Sequence, residues 1–163
     1  MSTTIKQLIL LSNHRTHARA LGLCIPPKLK INLTRLDLKQ LPEQLEYQRD
    51  TLILIDLTNL SAETQSLLQN QLRFGTAALA LFSANTPIDI EELVQWPNVY
   101  GLFNLDDPFD VICKGVKAVM CGENWFSPHI SAQLDDYHSE HQASLPQKDN
   151  QPRTPYLENV RCC

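Results

Sequence analysis

The chain lacks the marks of several large functional classes. No apolar run reaches the roughly 18 residues that a membrane span needs, so the sequence predicts no transmembrane helix. Met1-Ser-Thr-Thr-Ile-Lys has no basic segment leading to an apolar core and cleavage site, so no export signal is visible. Positive charge is not in excess. Fourteen Lys and Arg against 18 Asp and Glu give a net charge of -4, which argues against a surface that holds nucleic acid by charge alone. The five cysteines, Cys24, Cys113, Cys121, Cys162 and Cys163, contain no C-x-x-C pair, so neither zinc nor a disulfide framework is expected. They read as buried or incidental thiols of a cytoplasmic protein. His14, His17, His129, His138 and His141 never form an H-x-x-x-H pair beside carboxylates, and solvated or capping roles are expected. There are no internal repeats.

What the chain has is a series of short apolar runs alternating with helical patterns. The stretch Thr51-Leu-Ile-Leu-Ile-Asp56 organises the rest. Its unbroken apolarity means that both faces of the strand are covered, as in a central parallel strand. Further strands are predicted at 6–11, 28–33 (an edge strand, by its polar-apolar alternation), 76–82 and 99–103. Helices are predicted at 13–23, stopped by Pro26-Pro27, and at 38–47. A third starts from Ser61, with Leu67, Leu68 and Leu72 inward, and a fourth spans 88–94. A fifth opens with Asp107 as N-cap and Pro108 as first helical residue, carrying the stripe Val111, Ile112, Val116, Val119, Met120. A sixth starts at Ser127-Pro128 and runs to about 138. The predicted class is α/β, a doubly wound five-stranded parallel sheet with an additional sixth C-terminal helix. Residues 1–138 form the domain, and 139–163 a polar linker or disordered tail.

In such sheets, function gathers outside the carboxyl ends of the strands, and Asp56 sits there. It reads as a nucleophile, a metal ligand or a turn former. At this edge the chain resembles a response-regulator receiver domain, of flavodoxin-like fold. The resemblance implies that Asp56 stands at the phosphoryl-accepting position and Ser83-Ala84 at the switch pair. A receiver also uses an acidic pair after the first strand to hold a divalent cation, because phosphoryl transfer depends on neutralising developing charge. Those positions read Ser12-Asn13 here, and the position of the receiver lysine after the fifth strand reads Leu105. Asp106 and Asp107 lie just past it. The pocket Asp56, Ser83, Ser12, Asn13, Leu105 is thus expected to be vestigial and to hold no metal.

Further along, Gln95-Trp-Pro-Asn-Val-Tyr-Gly-Leu-Phe103, Lys114-Gly-Val-Lys-Ala-Val119 and Gly122-Glu-Asn-Trp-Phe-Ser127 resemble the CsgD/VpsT group of LuxR-type regulators. These are bacterial transcription regulators of biofilm matrix and curli genes, with a degenerate receiver followed by a helix-turn-helix. In the VpsT branch a Trp-[Phe/Leu/Met]-[Thr/Ser]-Arg motif binds cyclic di-GMP and drives dimerisation. The corresponding residues are Trp125, Phe126 and Ser127, with Pro128 where the Arg stands. A proline supplies neither the planar stacking nor the bidentate hydrogen bonds of a guanidinium. Trp125 and Ser127 either contact cyclic di-GMP or pack and cap the sixth helix.

Arg15, Arg19, Lys28, Lys30 and Arg35 read as a solvated face. The Leu-Thr-x-Arg-Glu start of a LuxR-type DNA-binding domain does not follow the sixth helix. The sequence therefore leads to a non-enzymatic, phosphorylation-independent receiver that forms a homodimer, with no cofactor and no membrane association. It would reach DNA only through a helix-turn-helix not present in this chain. The alternatives are a cyclic di-GMP sensor using Trp125 and a two-component phosphoacceptor at Asp56.

Overall fold

Apolar residues at every position of a short run favour a strand covered on both sides, and the chain has three such runs, which pair in the middle of the sheet. The computed structural model describes residues 5–12, 15–36, 50–58, 60–73, 75–83, 88–104 and 106–142. Five strands, β1 (Gln7–Leu11), β2 (Leu33–Leu36), β3 (Thr51–Asp56), β4 (Ala78–Ser83) and β5 (Val99–Asn104), form one sheet in the order β2-β1-β3-β4-β5. Every pairing is parallel. The described helices are α1 (Arg15–Leu29), α2 (Ala62–Arg73), the short α3 (Ile90–Leu93), α4 (Phe109–Met120) and α5 (Pro128–Gln142). This is the doubly wound α/β sheet that the sequence predicts, and α5 is its additional C-terminal helix. The helix expected at 38–47 lies outside the described residues. Among the described residues no helix is long and apolar enough to cross a membrane.

Strand alternation divides the core in two. Leu8, Leu10, Leu52, Leu54, Ala80 and Phe82 pack with Ala18, Leu21 and Ile25 of α1 and Ile112, Val116 and Val119 of α4. Ile9, Leu11, Ile53, Ile55, Leu79 and Leu81 pack on the other side with Leu68 and Leu72 of α2. Each fully buried Leu or Ile contributes about 1.5–3 kcal/mol, so these two clusters hold the sheet between its helices.

Several boundaries differ from the sequence expectation. Helix α1 does not stop before Pro26-Pro27 but runs through both to Leu29. Each proline removes one intrahelical donor, yet Ile25 is fully buried and Leu29 packs on the same cluster, so tertiary burial outweighs the lost bonds. The helix ends one residue later, where Lys30 donates to the Pro26 carbonyl (2.8 Å) and turns left-handed at φ 55°. Strand β2 consequently begins at Leu33 rather than Lys28, although it is the edge strand expected. In α2, Leu68 and Leu72 face inward, while Leu67 is 62% exposed, one position round the helix from the buried stripe. Pro108, not Asp107, occupies the N-cap of α4, and Val111 is exposed. Helix α5 continues to Gln142, past the boundary drawn at 138. Cys24 and Cys113 are free thiols, whereas Cys121 is disulfide-bonded.

The chain leaving α4 covers the edge of β5. Gly122, at φ 88°, takes the left-handed turn that ends α4. Trp125 then pairs in parallel with Gly101: its N–H donates to the Tyr100 carbonyl (2.7 Å), and its carbonyl accepts from Leu102 (3.0 Å). Adjacent side chains go to opposite faces, Trp125 to the α1/α4 cluster and Phe126 to the α2 cluster. Ser127 next caps α5, its Oγ accepting from the Ile130 N–H (3.2 Å), with Pro128 at the first helical position as expected. Ile130 and Leu134, one turn apart, pack on the α2 side, with α5 beside α3. A segment that would otherwise leave a bare strand edge instead crosses it and locks a helix on the far face.

Gly115 makes this arrangement possible. A Cβ there would stand 2.3 Å from Phe103 and 2.7 Å from Trp125 Nε1. Gly115→Ala gains up to about 1 kcal/mol of helix propensity but overpacks the ring stack at a cost of roughly 1–3 kcal/mol. Urea denaturation should show net destabilisation, accompanied by altered Trp125 near-UV dichroism. A more stable Gly115→Ala variant with an unchanged spectrum would contradict this packing.

Candidate functional site

The carboxyl ends of β1 and β3 bring Ser12 and Asp56 together. Asp56 is the last residue of β3, in step with Leu52 and Leu54, so it lies on the α1/α4 side. It is 0% exposed, and both its oxygens are engaged. The Ser12 hydroxyl donates to Oδ2 at 2.9 Å. The Thr58 backbone N–H donates to Oδ1, also at 2.9 Å, closing a turn of the chain two residues on. The turn-forming geometry is therefore present. A buried carboxyl oxygen without such donors is costly, which makes Ser12 a structural partner of Asp56 rather than a bystander.

His17, in the first turns of α1, is the residue that sequence reasoning missed. It is neither solvated nor a cap: its side chain is 13% exposed, with Nδ1 3.8 Å from Asp56 Oδ2. Its ring meets Phe82 edge-on, centroids 5.7 Å apart at 72°. The signal was its place four residues before the buried Leu21, on the inward stripe of α1. Ser83, half-buried, follows Phe82, which is the register partner of Asp56. Among the described residues no hydrogen bond joins Ser83 to Asp56. Asn13, Ala84 and Leu105 lie outside the described residues. Asp107 pins the loop after β5, exchanging hydrogen bonds with Asn104 (3.0 Å each way). Asp106 donates its N–H to Asn104 Oδ1 (3.2 Å). Among the described residues no group of three or more His, Cys, Asp or Glu side chains is placed to hold a metal ion.

Trp125 and Ser127 sit together at the start of α5, away from β3. The Trp125 ring is half-buried and stacks on Phe103 with centroids 6.5 Å apart and planes at 20°. Ser127 is exposed and caps α5. Further along α5 a groove runs between α3 and α5, lined by Ile90, Glu91, Gln95, Gln133, Asp136, Tyr137 and Glu140. Three of these are acidic and none is basic, so the groove disfavours an anionic guest.

Of the basic residues, Lys28 pairs with Asp110 of α4. Their mutual hydrogen bond raises the Lys28 pKa and lowers that of Asp110, and both groups are exposed, so solvent screens the pair. Arg19 and Arg35 are exposed. Burial pushes the Cys113 thiol up, although Lys28 opposes the shift.

The Ser12 contact is testable. Ser12→Ala leaves Asp56 Oδ2 short of a donor and should cost roughly 1–3 kcal/mol in urea denaturation. Ser12→Asp should cost more, since two carboxylates would share one buried site. A neutral effect of both substitutions would show that Ser12 does not hold Asp56.

Residues 10–128 match the family profile described as VpsT-like, receiver domain. Among solved structures, the chain is similar to the regulatory domain of the master biofilm regulator CsgD, at 20% identity and a TM-score of 0.69, covering 80% of this chain and 98% of that one. It is also similar to a response regulator from Colwellia psychrerythraea (14% identity, TM-score 0.60, 72% and 98% covered). A LuxR-family two-component response regulator from an Aurantimonas species follows at 12% identity, TM-score 0.54, with 83% and 99% covered. At these identities the likeness is one of fold. No curated protein matches the sequence. The kinship expected from Trp96-Pro97 and from Gly122 to Ser127 thus rests on the profile, which spans most of the chain, and this protein belongs to the VpsT-like receiver domain family.

Proposed function

We propose that this chain is the regulatory receiver of a LuxR-type transcription regulator of biofilm matrix genes, acting in the cytoplasm without phosphorylation and by self-association. The observation that carries this reading is Ser12 bonded to the carboxylate of Asp56. A carboxylate oxygen that accepts one hydrogen bond keeps a lone pair for attack, so the weight falls on the cation that phosphoryl transfer needs to gather the charge. Here the Ser12 hydroxyl holds one oxygen and the Thr58 N–H the other. Ser12 also puts a neutral group where a receiver places a carboxylate. The chain has no role as an enzyme in this reading.

Assembly is assigned to α5, the helix added to the receiver plan, which lies beside α3. Cyclic di-GMP has little to grip. Trp125 is already stacked on Phe103, and Pro128 offers no donor. Base stacking alone contributes about 1–3 kcal/mol, far short of the roughly 8 kcal/mol that micromolar affinity needs. DNA contact belongs to a helix-turn-helix outside this chain, whose own net charge of -4 gives little attraction to phosphates.

Two measurements test the proposal. Incubation with acetyl phosphate and millimolar magnesium should leave Asp56 unlabelled by intact mass, and stoichiometric labelling abolished in Asp56→Asn would refute phosphorylation independence. In sedimentation, a dimer should form without phosphate or nucleotide and weaken on placing a charge at an exposed α5 position, as in Ala132→Lys. A strict monomer that dimerises on adding micromolar cyclic di-GMP would hand the site to the sensor reading.

A further inference from the structure

An unbroken file of rings joins the Asp56 carboxylate to the start of α5. His17 lies against Asp56 Oδ2 and meets Phe82 edge-on. Phe82 stacks on Phe103 with centroids 5.1 Å apart at 23°, and Phe103 stacks on Trp125 at 6.5 Å. Phe82 and Phe103 are fully buried, and Gly115 of α4 leaves the room that the last two rings share. Interiors packed to this density pass a displacement on rather than absorb it.

We propose that His17 is a proton-binding counter-ion to Asp56, and that its charge state, in place of a phosphoryl group, sets the packing of Trp125 and hence of α5. The inference rests on reading Asp56 as an unphosphorylated carboxylate. Histidine is the side chain whose ordinary titration falls between about pH 5 and 8. A neutral ring 3.8 Å from Oδ2 gains little from that oxygen, whereas an imidazolium is drawn to it. The groups described around His17 are Asp56 from β3, the Ser12 hydroxyl at the end of β1, which shares Oδ2, and Phe82 from β4. The charged Lys28–Asp110 pair stands further along α1, roughly 16 Å down the axis at about 1.5 Å per residue. Protonation thus adds a second donor to Oδ2 and pulls the ring from the edge of Phe82, the first ring in the file. Burial resists the charge and the carboxylate favours it, so removing the carboxylate must make protonation harder.

The test follows the His17 ring by NMR and Trp125 by fluorescence from pH 8 to 5, using the whole chain in a Trp96→Phe background, since the chain has two tryptophans. His17 should titrate, with its midpoint moved to lower pH in Asp56→Asn. The Trp125 emission should shift with the same midpoint, lose that shift in His17→Gln, and keep it in a His129→Gln/His138→Gln control that removes the histidines of α5. A purely structural His17 would leave the emission profile of His17→Gln unchanged. A wild-type ring that stays neutral to pH 5, or a Trp125 response that survives His17→Gln, overturns the inference. The wild-type ring titration decides it even if a variant folds poorly. Acetyl-phosphate labelling would sink the underlying phosphorylation-independent reading, whereas a pH-silent Trp125 in an unlabelled protein sinks only this inference.

Discussion

A carboxylate buried at the end of a central strand must be satisfied by its surroundings, and the way Asp56 is satisfied shapes the rest of the site. Here the protein supplies its own donors, a serine hydroxyl from β1 and a backbone amide two residues on. The serine is placed by strand register, because β1 and β3 pair in step from Gln7 and Thr51 onward, and the amide by the turn that follows β3. Each Asp56 oxygen thus has one donor from the protein itself.

The second constraint is at the opposite margin of the sheet. Strand β5 would expose a row of unpaired backbone groups, and Trp125 takes up two of them. The pairing also alternates the side chains, which anchors one residue in each half of the core. Helix α5 is thereby tied to the fold through backbone bonds as well as apolar contact. The Phe103–Trp125 stack lies at the root of this helix, two residues before its cap Ser127.

Much of this was legible in the sequence because it depends on local rules. Unbroken apolar runs gave β3 and β4, Ser61 and Ser127-Pro128 marked the starts of α2 and α5, and Gly122 marked the end of α4. The misread positions are those where a distant contact overrides a local preference. Pro26-Pro27 looks like a helix stop until Ile25 and Leu29 are seen in the core. Leu67 looks inward until the helix phase is fixed by Leu68 and Leu72. Lone histidines are commonly solvated, and only the meeting of α1 with the end of β3 places His17 over a buried carboxylate. The sequence placed Asp56 and Ser12 at one edge of the sheet, but the bond between them comes from strand register that no single sequence displays.

The most direct test of a self-satisfied Asp56 is thermal melting of the wild-type chain with magnesium and beryllofluoride, a stable mimic of the phosphoryl group, added separately and together. A ligand that binds only the folded state raises its stability by about 2.7 kcal/mol at a hundredfold excess over its dissociation constant. If Ser12 and Thr58 hold the carboxylate as described, the melting temperature should stay the same in all four conditions. A rise of several degrees that requires both magnesium and beryllofluoride, and is lost in Asp56→Asn, would contradict it.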